Sequence, residues 1–353
     1  MIRTKKIRVG ISVGDLNGIG VEIILKTFEK IGMYDFCTPI LFASTKVVSF
    51  QKKILKVNTP INGITHPSEA VDGKFNLVNI WDEGVNIEYG KSTETAGKYA
   101  LDSLVASTEA LKNEEIDVLV TAPINKNNIQ SDEFKFPGHT EFLAEKLNGD
   151  SLMLMVSDDL RVGVVTGHIP ISKIAETITK ELITSKVNLV NSTLIQDFGI
   201  PKPRIAVLGL NPHNGDKGVI GMEEEEIIKP AIKDMFDKGM AVFGPYAADG
   251  FFGTDNYKNF DAIVGMYHDQ ALIPFKSLSF NTGINYTAGL GRIRTSPDHG
   301  TAYEIAGKGI ADAKSFEEAV FKSIQIFNTR KGYLELTSNK LKKQEIRYHN
   351  SDR

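Results

Sequence analysis

Three of the seven histidines stand just past short apolar runs: His168 in VVTGHIP, His213 in LGLNPHNGD and His268 in MYHDQ. Each run has strand character, and in an open α/β sheet ligands collect in the crevice beyond the carboxyl ends of the strands. Three neutral imidazoles with one coordination position left open make a Lewis-acid site for one divalent metal ion. Zinc is the foremost candidate, with cobalt, magnesium or manganese as alternatives. Taken singly, each histidine reads as a loop cap or a local hydrogen-bond partner. Their shared placement at strand ends is what points to a site.

A second group could hold an anion. FPGHTEFLAEKL reads as a turn and then a helix, with Thr140 near the N-cap, His139 beside it, and free backbone N–H groups offered to a phosphate or carboxylate. Lys276, Asn285 and Arg294 supply further donors from loops downstream, the guanidinium being suited to a two-pronged grip on phosphate. Arg292 is an additional cation nearby that could widen or shift the anion site.

Two glycine-bearing loops differ in what they suggest. GDLNGIGVEI, with Gly14, Gly18 and Gly20, permits a tight strand-to-helix turn, but its spacing is not the GxGxxG dinucleotide fingerprint. HGTAYEIAGKGIAD, from His299 to Asp312, has small residues that let a backbone loop lie close against a flat ligand. It also reads as a simple tight loop with Gly307 and Gly309 at positive φ.

The elements that must position these residues are short and alternate in type. β-Branched runs occur at Ile7 to Val13, Pro39 to Ala43, Phe75 to Ile80, Asp117 to Thr121, Leu152 to Val156, Val162 to Thr166, Arg204 to Leu208 and Ala262 to Tyr267. Longer stretches of helical period separate them, which predicts an α/β protein with largely parallel strands. Thr93 to Lys112 places Ala96, Ala100, Leu104 and Leu111 on one face, with Thr108 as a polar interruption. Met222 to Lys238 is a second helix, bent at Pro230, whose acidic run Glu223 to Glu226 reads as dipole capping and solvation more than as a cation site. The tail from Lys340 to Arg353 is charged and aperiodic and is expected to fray.

Composition sets the outer bounds. A chain of 353 residues suffices for two domains, or for one large α/β unit divided around a cleft. With 41 basic and 44 acidic residues and a net charge of −3, no broad electropositive face is expected, and no nucleic-acid partner. Cys37 is the single cysteine, so no intramolecular disulfide forms, which fits a reducing cytoplasm. No stretch approaches the ~20 apolar residues of a membrane helix, and the first residues lack a signal-peptide pattern.

As a set, GDLNGIGVE, TAPINK, FPGHTEF, GHIP, GLNPHNGD, GPYAADGFF, YHDQALIPFK and GLGRIRTSPDHGTAYEIAGKG resemble the 4-hydroxythreonine-4-phosphate dehydrogenase family, NAD-dependent enzymes of pyridoxal phosphate biosynthesis. The motifs run in family order from Gly14 to about Gly309. The resemblance implies an isocitrate/isopropylmalate-dehydrogenase-like fold, two α/β/α lobes around a central cleft. Lobe I takes residues 1–138 plus 300–353, and lobe II residues 139–299. It implies a homodimer whose active sites draw on both subunits, with His168, His213 and His268 as metal ligands. His139, Thr140, Lys276, Asn285 and Arg294 fall at substrate contacts.

The loop His299, Gly300, Thr301, Ala302, Glu304 to Asp312 is similar to the adenosine-binding loop of isopropylmalate dehydrogenases. Glu304 falls where a carboxylate meets the adenosine ribose, which implies NAD over NADP. Asp249 and Asp269 are candidate general bases, Asp269 being also a candidate orienter of His268. Departures are Leu16, Asn17 and Val21 in the first loop, Ala271 for a usual glycine, and the displaced Pro274. Two other readings stay open: a paralogue oxidising 4-phosphothreonate or 4-phosphoerythronate, and a metal-dependent phosphohydrolase.

Overall fold

The computed structural model describes residues 6–132, 134–279 and 282–339. The charged tail from Lys340 lies outside the described residues. Twelve strands form one sheet: β1 Ile7–Ser12, β2 Cys37–Ala43, β3 Ile61–Ile64, β4 Phe75–Asn79, β5 Val118–Thr121, β6 Leu152–Val156, β7 Arg161–Val164, β8 Ile205–Leu208, β9 Val242–Tyr246, β10 Ala262–Gly265, β11 Ile284–Ala288 and β12 Arg294–Pro297. Their order is β3-β4-β2-β1-β5-β12-β11-β6-β7-β10-β8-β9. The flanks are parallel. The centre is not: β12–β11, β11–β6 and β6–β7 pair antiparallel.

The sheet is covered on both faces, and β6, β8 and β10 are accordingly continuous apolar runs with no polar alternation. All seven residues of β2 are buried. The eight strands read from sequence are all present, with ends that shift by no more than two residues. The other four, β3, β9, β11 and β12, carry Asn, Gly, Pro or Arg and make sense as strands only through their neighbours.

Helix Glu94–Lys112 starts where the Thr93 side chain accepts from the Ala96 N–H, and it buries Ala96, Ala100, Leu104, Thr108 and Leu111. Thr108 is no flaw in that stripe, because its hydroxyl donates to the Leu104 carbonyl at 2.7 Å. Leu104 is fully buried, so Leu104→Ala should cost about 2–5 kcal/mol. The segment read as one bent helix from Met222 divides into a π-helical turn, Glu224–Ile228, and an α-helix, Lys229–Asp237. Pro230 lies at the start of the α part; lacking an N–H, it cannot continue the regular ladder through the junction.

Candidate active site

The motif segments converge on a cavity of about 230 Å³ over the central strands, between the β5 exit and the helix that follows Gly138. Arg294 comes from β12 and Asn285 from β11, so neither is a loop residue as expected from sequence. Lys276 lies in helix His268–Leu278. His139 and Thr140 open helix His139–Lys146, whose N-cap is Gly138; Thr140 is in the first turn and makes no capping bond.

Arg294 is 1% exposed. Its guanidinium donates to the Thr121 hydroxyl at 2.5 and 3.1 Å and to the Thr287 hydroxyl at 3.0 Å. Burial depresses its pKa to about 9, opposed by the charge of Glu141. A buried cation held by neutral hydroxyls calls for an anion. His139 beside it is held neutral, its pKa well below the ordinary value through burial first and then the charges of Arg294 and Lys126.

Four buried polar atoms around this cavity lack a partner within the protein: His139 Nε2, Glu141 Oε2, Asn285 Oδ1 and His299 Nε2. Buried polar atoms are otherwise satisfied almost everywhere in folded proteins. The four offer acceptors and, through the imidazoles, donors to a small polar ligand.

Two wall residues were not singled out from sequence. Lys126, at the end of TAPINK, places Nζ 3.2 Å from His168 Nε2. Glu141 lies 3.7 Å from His168 Nδ1, and that contact is the main cause holding its carboxyl below the ordinary range. Both had a signal: Lys126 follows the end of β5, the position that made the histidines notable, and Glu141 sits in the first turn of the proposed anion-binding helix. Arg292 does not join the site. It pairs with Glu114 at 2.8 Å on another surface.

The three histidines each follow a strand, β7, β8 or β10, and these strands are adjacent and mutually parallel. His168 and His268 face each other with ring centroids 5.6 Å apart. His268 Nδ1 is 2.6 Å from Asp269 Oδ1, which leaves Nε2 free to bind. His213 lines a second cavity of about 520 Å³ with Asp249 and Asp269. It heads a left-handed turn, His213 to Lys217, in which all five residues have positive φ. Non-glycine residues resist that conformation by roughly 1–2 kcal/mol each.

The turn is anchored from below by Glu224, fully buried, which accepts from the Leu210 and Asn211 N–H groups at 2.7 Å. One member of the acidic run is therefore a buried anchor and not a solvated charge. The imidazoles suit a divalent transition metal chemically, but this chain brings two of them together. Among the described residues, no group of three or more His, Cys, Asp or Glu is placed to hold an ion.

The segment from His299 to Asp312 starts at the Arg294 cavity, with His299 and Gly300 in its wall. Thr301 O accepts from the Ile19 N–H at 3.0 Å. Ala302 has φ 45, while Gly307 and Gly309 have φ 75 and 71. Glu304 is exposed, and Asp312 accepts from the Lys314 N–H at 2.9 Å at the start of helix Lys314–Thr337.

Residues 35–323 match the family model described as pyridoxal phosphate biosynthetic protein PdxA. The chain is 52% identical over 341 residues to a 4-hydroxythreonine-4-phosphate dehydrogenase of Bacteroides thetaiotaomicron, covering 96% of this chain and 94% of the relative. It is 37% identical to a putative D-threonate 4-phosphate dehydrogenase of Oceanobacillus iheyensis, covering 93% of this chain and all of that one. Among solved structures, a 4-hydroxythreonine-4-phosphate dehydrogenase of Klebsiella pneumoniae superposes with a TM-score of 0.79 at 32% identity, covering 92% of this chain and 98% of the other.

Proposed function

The chain belongs to the PdxA family of pyridoxal phosphate biosynthetic proteins, and on that premise we propose that it oxidises 4-phosphooxy-L-threonine at C3 with NAD and releases carbon dioxide, leaving 3-amino-2-oxopropyl phosphate. The observation that carries this reading is Arg294: a fully buried guanidinium, without a carboxylate of its own, at the wall of a cavity that also holds His139. A phosphate group satisfies that cation and the unpartnered His139 Nε2 together.

In this reading Arg294, His139, Thr140, Asn285 and Lys276 grip the phosphate, and that binding energy orients the reacting end of the substrate. Lys276 is already steadied by Asp298, 2.8 Å away. The nicotinamide accepts hydride from C3. The resulting β-keto acid then loses its carboxylate. NAD is held by His299, Gly300, Thr301, Ala302, Glu304 and Asp312, with Glu304 at the ribose disfavouring a 2′-phosphate.

One divalent cation per site, zinc foremost, belongs to the same proposal, with His168, His213 and His268 to hold it. When bound it supplies Lewis acidity toward the C3 oxygen. Asp249 and Asp269 remain the candidate bases; Asp269 is engaged with His268, so its role as orienter has the closer geometric support. The homodimer with sites shared between subunits accounts for the histidine that a single chain leaves apart. The two-lobe division, 1–138 plus 300–353 and 139–299, and a cytoplasmic location complete the proposal. The lone Cys37 is buried and free, and among the described residues no helix is long and apolar enough to cross a membrane.

Relatives that carry the name D-threonate 4-phosphate dehydrogenase favour a second reading, in which a hydroxyl replaces the substrate's amino group. The experiment that separates the two measures NADH and carbon dioxide formation by purified protein with 4-phosphooxy-L-threonine, 4-phosphothreonate and 4-phosphoerythronate. The first reading requires the highest kcat/KM for the amino acid. Preference for either hydroxy acid selects the paralogue, and phosphate release without NADH selects a phosphohydrolase.

A further inference from the structure

We propose that Asp15 is a positioning residue for the dinucleotide: acting through Tyr303, it fixes the His299 to Asp312 loop on the turn that follows β1 and against the wall of the substrate cavity. The inference rests on the NAD reading above.

The Asp15 side chain is fully buried. It accepts from the Tyr303 hydroxyl at 2.8 Å, from Asn128 Nδ2 at 2.8 Å and from the Asn17 N–H at 2.9 Å. All three partners are neutral. A carboxylate without a cation is costly to bury, and three donors aimed at it are the arrangement that offsets this cost. Burial, and next the bond to Asp15, raise the Tyr303 hydroxyl to about 12, so it stays a donor.

Those three partners belong to three different segments. Tyr303 is in the loop proposed for the adenosine. Asn128 lies two residues past Lys126, the last of the stretch from Ala122 that lines the substrate cavity. Asn17 belongs to the β1 turn, and its amide also ties Glu88, Lys91 and Thr93 at 2.8–3.0 Å. One carboxylate therefore sets how far the adenosine loop stands from the substrate wall.

The rest of the loop is held from the same side. A Cβ on Gly18 would lie 2.9 Å from Thr301 O, so the two backbones touch. Further along, Lys26 donates to the Gly309 and Ala311 carbonyls, and Glu22 accepts from the Ala311 N–H, each within 2.9 Å. Tyr303 is the only side chain of the loop that reaches Asp15, and it follows Ala302 in its left-handed conformation. Without the hydroxyl, the loop beyond that strained residue loses its side-chain tether to Asp15 and keeps the backbone bond of Thr301 O to Ile19, so more of its ordering falls to the dinucleotide itself.

The test is titration of NADH into the full-length protein, followed by fluorescence, for the wild type, Tyr303→Phe, Asp15→Asn and Asp15→Ala, beside steady-state kinetics. Tyr303→Phe should weaken NADH binding and raise KM for NAD about tenfold, with the effect falling on KM for NAD more than on kcat or on KM for the phosphorylated substrate. Asp15→Asn, which keeps one acceptor oxygen, should be milder than Asp15→Ala. A merely structural role would lower the melting temperature and the active fraction while leaving both constants unchanged, and that result overturns the proposal. If the Asp15 variants do not fold, Tyr303→Phe decides alone. A wild type that binds no NADH removes the cofactor reading and this inference together, whereas a wild type that binds as tightly as Tyr303→Phe removes only the inference.

Discussion

The Arg294 guanidinium rests 2.5 Å from the hydroxyl of Thr121, across the β12–β5 pairing, and its direct hydrogen-bond partners are hydroxyls, not carboxylates. Thr121 orients the cation and leaves its charge available. Inorganic phosphate, offered alone, should therefore raise the melting temperature of the protein by mass action. Arg294→Met should abolish that shift while leaving a folded protein, and differential scanning fluorimetry reads both. An equal phosphate shift in the variant would place the anion elsewhere.

His139 gives a pH dependence with a definite sign. Its folded-state pKa lies well below 6.5 because burial, Arg294 and Lys126 all disfavour the imidazolium. The unfolded chain takes up a proton near pH 6.5 and the folded one does not, so stability falls as pH drops below about 6.5, by at most about 1.4 kcal/mol per pH unit. His139→Gln should flatten the slope between pH 6.5 and 5 in urea titrations, whereas an unchanged slope would show that another group titrates there.

Arg330, which does not line the substrate cavity, grips Asp197 at 2.6 and 3.0 Å, and both bond the buried Tyr286 hydroxyl at 2.7 Å. Asp197 is 3% exposed. Arg330→Leu strands that carboxylate and should cost about 3–5 kcal/mol of unfolding free energy, with KM for both substrates unchanged in whatever fraction folds. A loss under 1 kcal/mol, on the order of an exposed ion pair, would mean that water reaches Asp197.

If His268 binds a metal through Nε2, Asp269 holds its other nitrogen. Asp269→Asn should then weaken zinc affinity about 10- to 100-fold in competition with a chromogenic chelator. Unaltered affinity would leave Asp269 as a surface carboxylate, or as a base acting without the metal.

Much of this was legible in the sequence because it is local. The spacing of Ala96, Ala100, Leu104 and Leu111 announced the helix that Thr93 opens, Pro230 marked the irregular start of Lys229–Asp237, and the strand-end histidines pointed at the crevice. What sequence hid depends on pairing between distant segments. Arg294 looked like a loop cation because nothing nearby shows that Thr121 and Thr287 will flank it in the sheet. The run ending at Tyr267 concealed that His268 begins a helix, since Pro274 inside His268–Leu278 argues against one. His213 is drawn aside by a left-handed turn whose anchor, Glu224, looked like one more solvated acid. The bond between Asp15 and Tyr303 spans 288 positions and leaves no mark at either end.

The central claim is that a phosphate held by buried Arg294 and neutral His139 positions a substrate for hydride transfer. It is tested most directly by NADH formation from 4-phosphooxy-L-threonine and from the same amino acid without its phosphate. The account predicts turnover of the phosphorylated compound and a loss in kcat/KM of at least about a hundredfold without the phosphate, near 2.7 kcal/mol of transition-state binding. Comparable turnover of the two compounds, or no NADH from either, would contradict it.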